Sequence, residues 1–304
     1  MASALDSLLR VPHIGEIFSL GAGVVWSFAV ILFRVSGRTV HPLALNLFKN
    51  VFAATLVILT ALVLGLPLLP ALGARPYAMM ILSGILGITI SDTLFLASLN
   101  LLGASLSAIV DCFYSPFIIG LSLLFLGERM SALQLFGVAL IISAVLTITQ
   151  KKHERAIPRR DLMLGTGLGI ASMLTMAAGI VMIKPLLSSV PLVWAMFMRL
   201  VGAAASLGIV FAFHPKRAEL LRPLTRGANW RTMAPAAFLG TYISLMAWMA
   251  GMKYTFASVA AALSQLSSIF IFILAAVFLK EKVTPWRILA IGLAFLGAYL
   301  AAVG

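Results

Sequence analysis

Apolar stretches about 20 residues long recur ten times in this chain, at 14–36, 42–64, 77–99, 103–125, 131–149, 162–184, 190–213, 232–252, 256–279 and 285–303. A helix that crosses the hydrocarbon layer of a bilayer needs about that many residues. The spacing therefore predicts an all-α polytopic membrane protein with ten transmembrane helices. Composition agrees: 62% of residues are hydrophobic and 10% are charged, against about 45–50% and about 25% in soluble domains. Proline punctuates several of the breaks, at His41-Pro42, Leu66-Pro67, Arg75-Pro76, Val190-Pro191, His214-Pro215 and Thr284-Pro285. The first 13 residues lack the layout of a cleavable signal peptide, so 14–36 reads as the first spanning helix. A single cysteine, Cys112, leaves no intrachain disulfide.

The chain repeats itself. Ala104–Ser131 and Ala257–Thr284 align without gaps at an offset of 153, with about 10 of 28 positions identical, Glu128 and Glu281 among them. At the same offset Gly87 meets Gly240, Ser91 meets Ser244 and Leu140 meets Leu293; toward the N-terminus Pro42 and Phe48 meet Pro191 and Phe197 once the offset slips by four. The organisation expected is a first five-helix repeat over 1–150, a basic linker over 151–161 and a second five-helix repeat over 162–304. Five is odd, so consecutive copies enter the membrane in opposite senses. Inverted repeats around a central cavity are a recurring plan of secondary transporters. Glycines at Gly21, Gly23, Gly165, Gly167 and Gly169 suit close helix packing near the start of each half.

The net charge of +13 reads as basic loops rather than as a nucleic-acid surface. Sorting Lys and Arg by alternating loops puts 15 on one face: Arg34, Arg38, five in each polar linker (150–161 and 214–231), and Lys280, Lys282 and Arg287. Five fall on the other: Arg10, Arg75, Arg129, Lys184 and Lys253. The positive-inside rule places the first face in the cytoplasm and both termini outside. Arg34 and Lys184, at helix ends, are expected to snorkel.

Charges inside the spans are few, and each costs a few kcal/mol or more unless it pairs or meets water. Lys49, Asp92 and Asp111 fall on consecutive helices, about seven to eight residues from the basic face, at one depth of roughly 10–12 Å. One lysine neutralises one carboxylate; the other must be protonated, solvated or matched by a cation. The three are candidates for proton coupling, and a buried ion-pair network is the structural alternative. In the second half Leu245 and Ser264 stand where Asp92 and Asp111 do, so a scaffold needed in both halves is disfavoured. Arg199, among apolar neighbours, needs an anion or a carbonyl. Candidate substrate-binding residues are Arg199 with Trp26, Ser27, Tyr114, Tyr242, Trp248, Ser264, Gln265 and Ser268. Ten of the 14 methionines lie between Met163 and Met252 and are expected to face lipid, with a pliable cavity lining as the alternative. The histidines His13, His41, His153 and His214 sit in loops or at helix ends, so no metal site and no cofactor are expected. No GxGD, HExxH or Walker-type pattern is present, and no enzyme is expected.

The stretch LGERMSALQLFGVALI (Leu126–Ile141), its repeat LKEKVTPWRILAIGLAFL (Leu279–Leu296) and the five-plus-five layout resemble the EamA-type branch of the drug/metabolite transporter superfamily. The resemblance covers nearly the whole chain. It implies a secondary carrier of small metabolites such as amino acids, an exporter working by alternating access in a bacterial inner membrane, as a monomer or homodimer. Such carriers hold both termini inside, opposite to the charge count. A multidrug or organic-cation exporter on the same fold and a lipid flippase are the rival readings.

Overall fold

The computed structural model describes residues 13–126, 131–150, 157–225, 227–255 and 257–303. Arg10, Glu128, Arg129, His153, Arg226 and much of the basic linker lie outside the described residues. Those described form helices with no strand among them. In chain order the long ones are α1 (Ile14–Ser36), α2 (Pro42–Leu64), α3 (Ala74–Leu102), α4 (Ala104–Leu126), α5 (Ala132–Gln150), α6 (Arg159–Leu187), α7 (Leu192–Phe213), α8 (Gly227–Tyr254), α9 (Ala257–Phe278) and α10 (Pro285–Val303), with short helices at Arg217–Leu221 and Arg222–Thr225 between α7 and α8. Seven of these, α1 to α4 and α6 to α8, are long and apolar enough to cross a membrane; α5, α9 and α10 carry shorter apolar stretches. The protein is an integral, multi-pass membrane protein.

The helix ends follow from local chemistry. Pro42 takes the first turn of α2, where no amide donor is needed, and His41 Nδ1 accepts from the Leu43 amide at 3.3 Å. Gly65, at φ 64°, closes α2 by returning its amide to Ala61 and Leu62. Several helices run a few residues beyond the expected limits, α6 from Arg159 rather than 162 for instance, because polar residues at a membrane surface continue a helix without cost.

Two features of the helices had no counterpart in the expected layout. First, α3 contains a π-helical segment at Ile85–Ile90, and α8 contains one at Ala237–Ser244. The two overlap at the 153-residue offset. Second, α4 is broken by a 3₁₀ turn at Asp111–Phe113, and α9 is interrupted at Gln265, which matches Cys112 at that offset. The repeat therefore extends to irregularities of the backbone.

Packing is reciprocal between the halves. α3 lies along α6, α8 along α1, and α5 along α10. Ser91 Oγ donates to the Ser172 carbonyl at 3.0 Å, and Ser244 Oγ donates to the Ala22 carbonyl at 3.0 Å. Ser91 and Ser244 correspond at the 153-residue offset, and Ala22 and Ser172 at one of 150, which also relates Arg34 to Lys184. Ser98 Oγ donates to the Gly165 carbonyl at 2.7 Å, and a Cβ on Gly251, its equivalent, would run into Ser19 beside the Gly15 carbonyl.

Arg34 and Lys184 do not snorkel. Arg34 Nη1 donates to the Asn100 carbonyl at 2.8 Å, near the C-terminus of α3. Lys184 Nζ donates to the carbonyls of Met252 and Thr255 at the end of α8. A cation on the open carbonyls of a helix C-terminus is favourable, and each here ties α1 to α3 or α6 to α8. Glu281 acts at the next turn. Gly103, at φ 82°, is the single residue between α3 and α4. The Glu281 carboxylate accepts from the Ala104 amide at 2.8 Å and the Ser105 amide at 3.1 Å, so a loop of the second half caps a helix of the first. The methionines also differ from expectation. Met163 is exposed, but Met196, Met233, Met249 and Met252 are fully buried between helices.

Candidate functional site

A cavity of about 120 Å³ opens between the two halves, with space for several waters or one small solute. Its wall is built from repeat equivalents. Gly87 and Gly240, Ser91 and Ser244, and Phe95 and Trp248 come from α3 and α8; Trp26 and Met176 come from α1 and α6. Asp92 and its equivalent Leu245 both line the cavity, as do Asp111 and its equivalent Ser264. Inward-facing positions thus coincide in the two halves while their charges do not.

Lys49 Nζ donates to Asp92 Oδ2 at 2.5 Å, linking α2 to α3. The lysine side chain is 4% exposed and the aspartate 16%, and the ammonium stands 6.0 Å from the centre of the Phe33 ring. The ion-pair network considered as the structural alternative therefore exists for these two residues. Asp111 is not part of it. It sits where α4 breaks, and its backbone carbonyl, not its carboxylate, accepts from Gln265 Nε2 at 3.3 Å. Among the described residues its carboxylate has no cation within 4.0 Å and no hydrogen-bond partner.

Arg199 is the mirror case. It is fully buried on α7 and lines the cavity, yet its Nε and Nη1 have no hydrogen-bond partner. Its guanidinium carbon lies 5.6 Å from the centre of the Trp248 ring, so the plane is held by the indole while donors stay unused. The π turn of α3 makes room for it. A Cβ on Gly84 would run into the Arg199 carbonyl, and one on Gly87 would lie 2.9 Å from Nη2. The hydroxyls of Thr241 and Ser264 on the same wall are likewise buried without partners.

The structure gathers Lys49, Asp92, Asp111, Arg199, Trp26, Tyr114, Trp248, Ser264 and Gln265 around this cavity. It does not bring Ser27, Tyr242 or Ser268 there. Ser27 Oγ donates within its helix to the Val24 carbonyl at 2.6 Å. The Tyr242 hydroxyl meets Thr60 Oγ1 at 2.5 Å, toward α2. Ser268 is buried against Cys112 and Gln265. Met173 and Met176, expected in lipid, line the cavity instead. Ser91, Phe95, Ser172, Thr241 and Ser244 complete the wall without having been anticipated. The coincidence of Ser91 with Ser244 was a readable signal for two of them. No group of His, Cys, Asp and Glu among the described residues could hold a metal ion.

A helical membrane protein of two matching halves around a cavity that carries a few charged side chains is the architecture of a membrane transporter. The chain belongs to the EamA-like transporter family, whose model matches it twice, over residues 13–150 and 163–303. Among solved structures, one described only as "Crystal structure of protein" superposes with a TM-score of 0.70 at 17% identity, covering 94% of this chain and 96% of its own; at that identity it speaks to the fold. No curated protein matches.

Proposed function

We propose that this protein is a secondary carrier, an exporter, of small zwitterionic metabolites of the α-amino-acid class. All ten helices cross the bilayer as two inverted repeats, and the halves rock to expose the cavity to each side in turn. The observation that carries this reading is the pair of unmatched charges: Arg199 with free donors and Asp111 with free acceptors on one small cavity. A lone buried ion costs several kcal/mol, and a substrate that brings a carboxylate and an ammonium removes both penalties at once. In the absence of substrate, water or a proton on Asp111 would serve. Proton coupling through Asp111 and Asp92, with Lys49 as the cation paired to Asp92, follows from that competition. Trp26, Tyr114, Phe95 and Trp248 give the aromatic walls that an organic cation would also use, which makes cation export the second reading.

Uptake into proteoliposomes separates the two. Amino acids, their amides and quaternary amines are offered with and without a pH gradient. The proposal expects amino acids to be carried, the amides to fail, and the gradient to accelerate transport. Quaternary amines carried at equal rates by wild type and Arg199→Met would establish cation export instead.

A further inference from the structure

We propose that Asn46 is the positioning residue that holds the π turn of α3 and thereby aims Asp92 at Lys49. Asn46 lies on α2, one turn before Lys49, and is fully buried. Its Nδ2 donates to the carbonyls of Ile88 at 3.0 Å and Thr89 at 3.2 Å, both inside the π segment, and to Thr93 Oγ1 at 2.9 Å, just beyond it. Its own Oδ1 accepts from Asn50 Nδ2 at 2.8 Å, so the amide is held from behind.

A π turn accommodates one residue more than an α turn and is normally the less stable of the two. Its carbonyls splay outward and take an extra donor, which is what Asn46 supplies. Relaxation to α geometry would rotate everything after the turn by about 100°, one residue's worth at 3.6 residues per turn. Asp92 follows the π segment by two residues and would swing off its line to Lys49. The second half forms its own π turn without this clamp. Its π turn has no amide side chain opposite, since Ala195 stands where Asn46 does when Pro42 is aligned with Pro191. Leu245 stands there in place of Asp92, so there is no charge to aim. The clamp is present in the half that carries the acid and absent from the other.

The proposal rests on Asp92 being a working carboxylate of the cavity, but its test needs no substrate. Infrared difference spectra of purified protein, wild type minus Asp92→Asn, isolate the band of the Asp92 carboxylate. The same subtraction is made in an Asn46→Leu background, with folding checked by thermal denaturation. The charges sharing the cavity with Asp92 are Lys49 from α2, Asp111 from α4 and Arg199 from α7, with none from α1 or α6; none of these is altered. The expected result is loss of the ion-paired band in Asn46→Leu and its retention in Asn46→Gln, which keeps a donor. If Asn46→Leu does not accumulate, Asn46→Ser, whose shorter side chain cannot reach the Ile88 carbonyl, takes its place with the same expectation. An Asp92 band at the same position in folded Asn46→Leu, or in folded Asn46→Ser where that variant replaces it, overturns the proposal. Failure of transport with an intact displacement of the band would instead count against the carrier reading alone.

Discussion

The two halves of this protein share a backbone and differ in charge. Each contributes a π-helical segment, a broken helix, and a serine that bonds across to the other half. The first half then places Lys49, Asp92 and Asp111 on the cavity, while the second places leucine, serine and methionine at the equivalent positions and adds only Arg199. The common features are close helix crossings and capped ends, which the proposed rocking of the halves would use. The divergent features are those that a ligand would touch. The charges on the cavity sit where the two halves differ.

The comparison can be challenged directly. The largest effect is expected at the one pair that is already made. Lys49→Met leaves Asp92 buried without its cation and should destabilise the detergent-solubilised protein by about 3–5 kcal/mol, read from its denaturation midpoint, with most of the loss recovered in Lys49→Met/Asp92→Leu. A folded single variant of unchanged stability would show the pair to be solvated. Arg199→Met should behave in the opposite way. Removing an unpaired buried charge leaves stability unchanged or improved, while affinity for a carboxylate-bearing substrate falls by about 2–5 kcal/mol, roughly 30-fold and upward. A stability loss like that of Lys49→Met would make Arg199 structural.

Asp111→Asn tests the first half's remaining charge. Loss of a hydrogen-bonded ion to the substrate ammonium should weaken binding by about 1.5–3 kcal/mol in equilibrium dialysis, and the pH gradient should no longer accelerate uptake. Unaltered affinity and coupling together would remove Asp111 from the site. Glu281→Gln weakens a cap that joins the halves and should cost about 1 kcal/mol of stability.

Much of this organisation was legible in the sequence because it rests on length and repetition. Hydrophobic runs gave the helices, and the 153-residue offset gave the halves. The depth estimate placed Lys49, Asp92 and Asp111 in one layer, and they do line one cavity. The π segments were not legible, since a single extra residue in an apolar helix leaves no trace in a hydrophobic pattern. Without them the angular position of every later residue is uncertain by about 100°. This is why Tyr242, inside the π turn of α8, points to Thr60 rather than inward. Ser27 and Ser268 were misplaced for a different reason: a serine can satisfy its hydroxyl on a nearby carbonyl or side chain and so needs no cavity. Arg34 and Lys184 were assigned to the interface because helix ends, read along one chain, do not show which neighbouring C-terminus awaits a cation.

The central claim is that two unmatched charges on one cavity recognise two opposite charges on one solute. Calorimetric titration of the purified protein with an α-amino acid, its amide and its deaminated acid tests it most directly. The account predicts measurable binding of the amino acid alone by wild type, and loss of that binding in both Arg199→Met and Asp111→Asn. Equal affinity for all three compounds, or amino-acid binding that survives both substitutions, would contradict it.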